Sequence, residues 1–504
     1  MTPLDALDTT LVPDGLDRSW LALPVAIAVG LGVRFLADLP VEEARILGIT
    51  LFCIVMWIGN PIPPSFTGVL GIGLIMLGFS PSLALTGFAQ PVLWLIVFGL
   101  IIGEAIHQSR LTTVFERRIV RWVGTEVGAG STARVGGETA GGGTPGAETA
   151  GTETTRAETP GDATAALRPL RIYRRLLVLL CFVGLTFALM VPSALVRVLI
   201  LAPILDQIGK LFESRAAPRG LLFGPLFATF YGGVGILTGS LPNVVIVGLV
   251  ESVAGVSISW TEWFVSLFPI MGLGRVVLVI GVTYLLYRPE PNSGLAVDLD
   301  AGGAGASPDL RRMGAYLLVG VVVWATDFVH GLHPVFGALL VATLLLLPGV
   351  GTVSFDVVEE VDFTIVFFVG VVFAIAAGLS RTGFTDRAAS YLLDFVPTTA
   401  PLPVVLAAVF GITLALVFVL EGVAASSVLT PILVSYAAES GLPLEPIVMT
   451  EAVALGHFFF PYQSIVLVAI LSHDPIEPGE LIRVTTVLSL ATIVLLLPLQ
   501  ILYL

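Results

Sequence analysis

Charged residues are scarce in this sequence, and their scarcity excludes a large soluble protein. They make up 12% of the 504 residues, whereas soluble domains carry about 25%. Too few polar residues remain to cover a soluble core of this size. Lysine is nearly missing, since Lys210 is the only one among 24 basic residues. The sequence contains no basic patch that would indicate a nucleic-acid partner.

Cysteine is equally rare. Cys53 and Cys181 both lie in apolar runs, which excludes a disulfide framework and a zinc site of the usual spacing. Residues 1–18 are acidic rather than basic, so we expect no cleavable signal. The net charge of −13 collects in loops and termini, a composition that we interpret as adaptation to high salt, as in a halophile.

Long apolar runs are what the sequence has in abundance. Many are roughly 15–23 residues long, which is about the length that crosses a bilayer core. We therefore predict an all-α polytopic membrane protein with about 11 spans. The clearest runs are 176–190, 264–286, 313–329, 403–420 and 487–504.

Two polar segments interrupt the apolar pattern. Residues 124–169 are rich in Gly, Thr, Ala and Glu and are predicted to be disordered. Ten arginines between Arg110 and Arg175 flank this loop, so the positive-inside rule places it and the N-terminus on the cytoplasmic side of the plasma membrane. The predicted organisation is N-terminal scaffold spans with the start of repeat 1 (1–123), the disordered loop (124–169), the transport part of repeat 1 (170–288), a linker (289–311) and repeat 2 (312–504).

The two halves resemble each other at three places in the same order, at offsets of 273, 228 and 221 residues. One such match among apolar residues would be chance, whereas three in order indicate an internal duplication. Many secondary transporters are built from duplicated halves, with the site where the halves meet. The matched pairs are "FGLIIGEAIHQSRL" (98–111) with "VVFAIAAGLSRTGF" (371–384), "RVLILAPIL" (197–205) with "ASSVLTPIL" (425–433), and "GILTGSLPNVVIV" (235–247) with "GHFFFPYQSIVLV" (456–468).

One apolar segment, "YGGVGILTGSLPNVVIVGLV" (231–250), has a polar centre. Irregular backbone at membrane depth is tolerated only where protein or water satisfies it, so this segment predicts a broken helix that is sheltered from lipid. The ends of the two half-helices would bind anions and cations. Gly239 would let the backbone approach a ligand, and Pro242 would break the turn. Ser240 and Asn243 would add oxygen ligands for a hard cation such as sodium.

The matching place in the second half is "FFFPYQS" (458–464). Pro461 predicts a second break, and Tyr462, Gln463 and Ser464 supply polar groups. The alternative for each segment is a proline-kinked helix whose polar groups only pack against neighbours. Two kinks at matching positions favour the site over that alternative.

Two charges interrupt apolar runs near these segments, Arg197 and Glu421. A charge at bilayer depth costs at least about 2.5–3.5 kcal/mol, so it persists only when it is paired, solvated or used. Three interpretations remain open: a structural ion pair between the two, a snorkelling Arg197, or a cavity. In the cavity, Arg197 would hold an anion and Glu421 would carry a cation or a proton.

The remaining polar groups carry weaker signals. Most of them are expected to be interfacial or packing residues. A metal site among Asp327, His330 and His333 is not expected, because no partner carboxylate converges on them by spacing. The residues in question are Glu104, His107, Asp327, His330, His333, Trp57, Trp94 and Trp324, with His457 as the one histidine that is a candidate site residue.

Several of these motifs together resemble those of the divalent anion:sodium symporter family. "LFCIVMWIGNPIPPSFTGVLGI" (51–72) is similar to that family's W-x-T-E-x-I-P segment, and "VLWLIVFGLIIGEAIHQSRL" (92–111) to its next span, which ends in EKTGL. "LSRTGF" (379–384) looks like the second copy of that ending. "GGVGILTGSLPN" (232–243) resembles the signature GG-x-x-T-x-x-G-T-P-P-N, and "FFFPYQS" a variant of its second-half counterpart. The resemblance covers most of residues 45–500.

The resemblance implies two inverted repeats with re-entrant hairpins and broken helices, in a homodimer whose transport domains move as elevators. It also implies substrates such as dicarboxylates, citrate-like acids or sulfate, coupled to sodium. The assignments that follow are substrate binding by Arg197, Ser240, Pro242, Asn243, Gln463 and Ser464, coupling-ion binding by Ser193, Gly239, Asn243 and Glu421, and sodium at Ser193, Gly239 and Asn243.

The sequence departs from the family at both hairpin tips. The family has a Ser-Asn-Thr triplet at each tip, but residues 193–195 read Ser-Ala-Leu and residues 421–423 read Glu-Gly-Val. The T-E pair of the early motif is replaced by Gly59 and Asn60. These changes leave both the substrate and the sodium stoichiometry open.

The sequence as a whole therefore predicts an ion-coupled secondary transporter for a small anion in a lipid bilayer. Sodium symport is the first expectation, with no cofactor beyond the coupling ions. A sodium/proton antiporter that uses Glu421, or an arsenite-type permease, is the alternative within the same superfamily. An intramembrane enzyme is not expected, because no paired aspartates, HExxH motif or Ser/His set at helical spacing is found.

Overall fold

The computed structural model describes residues 18–36, 38–109, 160–290, 308–396, 400–472 and 476–504. Most of the predicted loop 124–169 and of the linker 289–311 lies outside the described residues, so the disorder of the loop stays a prediction. Every regular element in the described part is a helix. The principal helices are α1 (Ala22–Leu36), α2 (Val41–Gly59), α3 (Pro64–Gly78), α4 (Pro91–Gln108), α5 (Pro160–Met190), α6 (Ala194–Gly209), α7 (Ala216–Gly232), α8 (Leu241–Ala254), α9 (Trp260–Leu267), α10 (Arg275–Tyr287), α11 (Pro308–Ala325), α12 (Val335–Leu346), α13 (Ile365–Thr382), α14 (Phe384–Phe395), α15 (Leu402–Val417), α16 (Gly422–Ser440), α17 (Leu444–Leu455), α18 (Ile465–Leu471), α19 (Pro478–Ala491) and α20 (Leu497–Tyr503).

Many of these helices are apolar enough to lie in a membrane. Six helical stretches in the described part are long and apolar enough to cross one, and five shorter helices are apolar as well. The prediction of an all-α polytopic membrane protein is confirmed. The six stretches are Pro91–Gln108, Pro169–Met190, Trp260–Tyr287, Ile365–Thr382, Gly422–Ser440 and Pro478–Tyr503.

Local sequence signals explain where several helices begin and end. Pro64, Pro91 and Pro478 stand in the first turn of their helices, where a missing N–H leaves no hydrogen bond unmade. Gly383 and Gly441 end α13 and α16 with φ of 83° and 69°, a conformation that glycine adopts without a steric penalty. Proline therefore marks starts and glycine marks ends, as in soluble helices.

Each repeat contains one hairpin and one broken helix. Hairpin 1 is α5 and α6 with a turn at 191–193, and hairpin 2 is α15 and α16 with a turn at 418–421. Broken helix 1 is α7 and α8, interrupted at 233–240, and broken helix 2 is α17 and α18, interrupted at 456–464. The second arms of the hairpins start 228 residues apart, at Ala194 and Gly422, and this is the offset that the sequence predicts.

The two repeats interlock in a reciprocal way. Helix α6 of hairpin 1 packs against α18 of broken helix 2, and α16 of hairpin 2 packs against α8 of broken helix 1. The same exchange occurs in the other helices, where α3 packs against α13 and α4 against α12. Such mutual exchange is what two repeats related by a pseudo-twofold axis produce. The first break is buried, whereas Phe460 and Tyr462 of the second break are exposed.

The last span of each repeat contains a π-helical segment. Residues Phe268–Gly274 join α9 to α10, and Thr492–Leu496 join α19 to α20. The two segments contact each other, and the Gln500 amide donates to the Ser266 carbonyl at 2.9 Å. These wider turns mark equivalent positions in the two repeats.

One boundary differs from the sequence prediction. Helix α5 starts at Pro160, whereas disorder is predicted for residues 124–169. Proline at a first helical turn and the Ala- and Leu-rich residues behind it favour a helix, although the flanking loop is polar. The local helix signal therefore outweighs the composition of the whole loop at this end.

Candidate functional site

The first break replaces about two helical turns by irregular backbone. Two 3-10 turns, Gly233–Gly235 and Leu237–Gly239, stand between α7 and α8, and their residues are buried. A Cβ added to Gly239 would lie 2.6 Å from the Gly233 carbonyl oxygen. The close backbone approach predicted at Gly239 therefore occurs, and its partner is the chain itself at Gly233.

Asn243 closes this break from inside α8. Its Nδ2 atom donates to the carbonyl oxygens of Val234 and Ile236, both at 3.0 Å, and its side chain is buried. Irregular backbone inside a membrane protein requires such partners. The Asn243 amide group therefore satisfies the break, in addition to any contact with a ligand.

Gln463 forms the corresponding hydrogen bonds to the backbone at the second break. Its Oε1 atom accepts from the backbone N–H groups of Phe459 and Phe460 at 2.6 and 2.8 Å. Its Nε2 atom donates to the Val417 carbonyl at 2.9 Å, at the end of the first arm of hairpin 2. Gln463 thus joins broken helix 2 to its hairpin.

The two breaks have equivalent backbone structures, but the residues that are equivalent in structure differ from those paired by the sequence alignment of the repeats. Ser240 and Ser464 are both N-cap residues, each directly after a 3-10 turn, with φ and ψ of −146° and 136° against −154° and 132°. They lie three residues away from the pairing that the repeat alignment predicts, in which Ser464 matches Asn243. Apolar residues on both sides allow either register in the sequence, and only the backbone decides.

Arg197 holds the first hairpin to the first break. Its guanidinium donates to the carbonyls of Val191 at 2.6 Å, Thr229 at 3.2 Å and Gly239 at 2.7 Å. The side chain is fully buried, so it does not snorkel. The Thr229 carbonyl belongs to the last turn of α7, where carbonyls lack helical partners. Hydrogen bonds to these three carbonyl oxygens stabilise the buried positive charge of Arg197.

Glu421 is the N-cap residue of α16. Its Oε2 atom accepts from the backbone N–H groups of Val423 at 2.8 Å and Ala424 at 3.3 Å. A carboxylate at a helix N-terminus is favoured by the exposed N–H groups and the dipole. Arg197 and Glu421 are therefore satisfied separately, and an ion pair between them is not what this structure shows.

Arg275 was missed by the sequence analysis, and it holds the second break. It starts α10 in repeat 1 and donates to the carbonyl of Gly456 in repeat 2 at 3.2 Å. Its Nη2 atom lies 3.2 Å from the ring nitrogens of His457, which is fully buried. Charge within an apolar run, the signal that singled out Arg197, would also have found Arg275.

Glu451 was missed as well. It lies in α17, five residues before the second break, and is fully buried. Its two carboxylate oxygens lie 2.9 and 3.0 Å from the hydroxyl of Thr430 in α16. It too is a charge within an apolar run.

Four helix N-termini lie directly after a hairpin turn or a break, those of α6, α8, α16 and α18. Ser193 accepts from the Val196 N–H at 3.4 Å and Ser464 from the Val466 N–H at 3.2 Å, so each caps its own helix. The side chain of Ser240 makes no capping hydrogen bond at the start of α8 and is half-buried. The N-terminus of α8 is thus the one of the four, all among the described residues, that lacks a side-chain cap.

The tip of hairpin 2 lies on this uncapped end. A Cβ added to Gly422 would be 3.3 Å from Cγ of Pro242, which stands in the first turn of α8. Gly422 directly follows Glu421, so the N-termini of α8 and α16 meet at this place. The sequence predictions for Ser240, Pro242, Asn243 and Glu421 thus fall in one region, and Arg197 reaches it through the Gly239 carbonyl.

This arrangement suits an anion better than a cation. Helix N-termini offer N–H groups and a partial positive charge. A carbonyl at the C-terminal end of each first half-helix, where a cation would bind, already accepts from an arginine: Thr229 from Arg197 and Gly456 from Arg275. The described residues contain no group of three His, Cys, Asp or Glu side chains that could hold a metal ion.

The other predicted polar residues have partners of their own. His107 Nδ1 lies 3.6 Å from Glu104 Oε1 near the end of α4. Asp327 accepts from the Trp260 N–H at 2.6 Å and so caps α9. His333 lies 3.3 Å from Glu251. Burial lowers the pKa of His333, although the nearby carboxylate opposes this shift.

Broken helices, re-entrant hairpins and buried charges at their meeting point define a class of protein, the multi-pass secondary-transporter fold with inverted repeats. Comparison with known proteins gives the family. The chain matches the family described as the sodium:sulfate symporter transmembrane region over residues 17–131 and 169–504, and it belongs to that family. The resemblance noted in the sequence is thereby confirmed.

Curated relatives include the L-tartrate/succinate antiporters of Escherichia coli (strain K12) and Shigella sonnei (strain Ss046). Each is 27% identical over 286 residues, which is 53% of this chain and 57% of the relative. The match thus spans little more than half the length of these relatives. Among solved structures, the YdaH transporter of Alcanivorax borkumensis is similar with a TM-score of 0.47 and 16% identity, over 68% of this chain and 82% of that one.

Proposed function

We propose that this protein is a secondary active transporter for small dianions, such as a dicarboxylate or sulfate. The observation that supports this most directly is the uncapped N-terminus of α8, against which the tip of hairpin 2 lies. The half-buried Ser240 hydroxyl and the first N–H groups of α8 are the proposed anion contacts. The family and the antiporter relatives favour the same class of substrate.

The role of Arg197 in this proposal is to position the site. Its guanidinium holds the turn of hairpin 1 and the Gly239 carbonyl in one place, and the field of its charge adds to that of the helix N-terminus. Gly239 is also the carbonyl assigned to sodium by the family resemblance. A sodium ion there would face a fixed positive charge, so we propose that anion binding at this break requires no sodium.

Sodium symport is the first expectation from the sequence, so the test of the proposed function compares anion uptake with and without sodium. Purified protein is reconstituted into liposomes, and uptake of labelled succinate, L-tartrate and sulfate is measured with sodium and with potassium as the only cation. We expect uptake of at least one anion, at similar rates in both salts. Strict dependence on sodium would contradict the assigned role of Arg197. Absence of uptake for all three anions, relative to empty liposomes, would refute the proposed function.

The elevator movement implied by the family is also part of the proposal. Hairpin 1 lies on a smooth face of α4, where Gly99 faces Pro192 and Gly103 faces Val196. A Cβ added to Gly103 would lie 3.4 Å from Cβ of Val196, close to the separation of roughly 3.5–4.5 Å that a disulfide needs. Helix faces without side chains allow one element to slide past another.

This movement is testable by cross-linking. The double variant Gly103→Cys with Val196→Cys is oxidised in proteoliposomes, and we expect anion uptake to stop and to return on reduction. The native Cys53 and Cys181 are buried, and each single variant serves as a control. Full uptake by the oxidised and cross-linked protein would show that hairpin 1 does not move against α4. We also propose the homodimer that the family resemblance implies, and light scattering of the purified protein in detergent tests it.

A further inference from the structure

One buried acid has no role in the anion site described above. Glu451 lies in the middle of α17, and its side chain is fully buried. Within the described residues its hydrogen-bond partner is one hydroxyl, that of Thr430 in the facing helix α16. A carboxylate in such a place is costly to ionise, and in membrane proteins such groups mark ion pathways and proton relays.

The other charged groups around α17 lie elsewhere along the neighbouring helices. Helix α15, which packs against α17, contains no charged residue. Helix α16 carries Glu421 at its N-cap and Glu439 near its end, together with Tyr436, whose hydroxyl donates to the Val396 carbonyl. Helix α8 contributes Glu251, which pairs with a histidine in the loop before α12. On α17 itself Glu445 lies in the first turn.

Among the described residues, the positive charge near α17 is that of Arg275, at the end beside the break. Its guanidinium donates to the carbonyls of Val453 and Gly456, and the His457 ring lies beside it. These carbonyls follow Glu451 by two and five residues, and the Arg275 guanidinium is engaged by them and by the His457 ring. Glu451 therefore has the Thr430 hydroxyl as its partner, and binding a proton is the way in which its buried charge can be neutralised.

Two more buried hydroxyls lie on α16 between the hairpin tip and Thr430. Ser426 and Ser427 are fully buried and precede Thr430 by four and three residues, so each is its neighbour on the helix surface. Ser426 lies about one turn after Glu421, the residue at the tip that contacts α8. The hydroxyls of Ser426 and Ser427 donate to helix carbonyls at 2.9 and 2.7 Å and keep lone pairs for a passing proton.

From this arrangement we propose that Glu451 is a proton-binding site that couples anion transport to a proton gradient. The Thr430 hydroxyl suits both states, since it donates to the carboxylate and accepts from the carboxylic acid. Because Glu451 joins α16 of hairpin 2 to α17 of broken helix 2, gain or loss of its proton acts on the contact between these two elements. The inference rests on the proposed anion transport, and it adds the driving ion.

The proton itself is tested first, independently of transport. Infrared difference spectra of the purified protein between neutral and alkaline pH should show the carbonyl stretch of a buried carboxylic acid. We expect this band to be lost in Glu451→Gln and to persist in Glu451→Asp, Glu421→Gln and Glu439→Gln. No such band in the wild-type protein, or a band unchanged in Glu451→Gln, would overturn the proposal.

Coupling is tested in proteoliposomes with labelled succinate as the probe and a pH gradient of one unit, acidic outside. One coupled proton supports up to about tenfold accumulation per unit of pH, and we expect wild-type protein to approach this ratio. Glu451→Gln should accumulate no succinate above equilibrium, while Glu451→Asp retains part of the effect. Gradient-driven accumulation by folded Glu451→Gln would refute the coupling. A wild-type protein that shows the band but moves no succinate, L-tartrate or sulfate would refute the proposed function and leave the proton site standing.

Discussion

Replacement of Arg197 by methionine tests how the first break is held. The variant keeps the length of the side chain and removes three hydrogen bonds, two of them short, at 2.6 and 2.7 Å. Hydrogen bonds to charged groups contribute roughly 1.5–3 kcal/mol each, so the two short ones represent about 3–6 kcal/mol. Methionine is cheaper to bury than a guanidinium, which offsets part of this loss. We expect the free energy of unfolding to fall by about 2–4 kcal/mol.

The assay is unfolding of the purified protein in detergent, followed by intrinsic fluorescence, with two comparison variants. Arg197→Lys keeps the charge and up to three donors, so it should recover part of the stability. Arg312→Met removes an exposed arginine whose ion pair, at 3.9 Å, is long, and it should change stability by less than about 0.5 kcal/mol. Wild-type stability of Arg197→Met would refute the reasoning.

The same variants separate a positioning role from a direct anion contact. Succinate that binds the native protein raises its unfolding temperature. If Arg197 only positions the break, Arg197→Lys keeps most of this shift. Loss of the shift in Arg197→Lys, with the stability of the ligand-free protein intact, would assign the guanidinium to the anion instead.

Three further predictions concern the breaks. Gly239→Ala places a methyl group against backbone and should destabilise the protein by about 1–3 kcal/mol. The control Gly411→Ala places its methyl group in open space within a helix and should stabilise the protein by up to about 1 kcal/mol. Equal effects of the two variants in the same unfolding assay would argue against the close approach at Gly239. Gln463→Leu loses three hydrogen bonds and should cost about 2–3 kcal/mol, and a neutral effect would show that water takes its place. Ser240→Ala should reduce the thermal shift given by succinate without changing stability in its absence, while Ser472→Ala leaves both unchanged; an intact shift in Ser240→Ala would remove that hydroxyl from the site.

The two breaks show what can be predicted from a pattern of residues. Glycine, proline and a polar amide within apolar runs predict both interruptions, and the structure has irregular backbone at each. The role of the amides was not predictable. Asn243 and Gln463 were assigned to ligands, and both are engaged with the breaks themselves, because which carbonyl faces an amide depends on the path of the unwound chain.

Of the four charged residues that interrupt apolar runs near the breaks, two are predictable from the sequence and two are not, for a different reason. Arg197 and Glu421 stand out because each follows a long apolar stretch near a recognisable motif. Arg275 and Glu451 carry the same signal but lie outside the repeated motifs, so nothing in the sequence connected them to the breaks. The partner of Arg275, Gly456, lies 181 residues away in the chain, and the partner of Glu451, Thr430, lies 21 residues away in the preceding helix.

The amino-acid sequence by itself determined that this chain is a duplicated, all-α membrane protein with two interrupted helices, because hydropathy and the positions of glycine and proline are local properties. Only the tertiary structure decided which helix end remains uncapped, and that each hairpin contacts the broken helix of the other repeat. It also decided that arginines occupy the carbonyl ends where a cation was expected. These are properties of contacts between distant segments, and a hydrogen bond forms only where packing places the donor and the acceptor together.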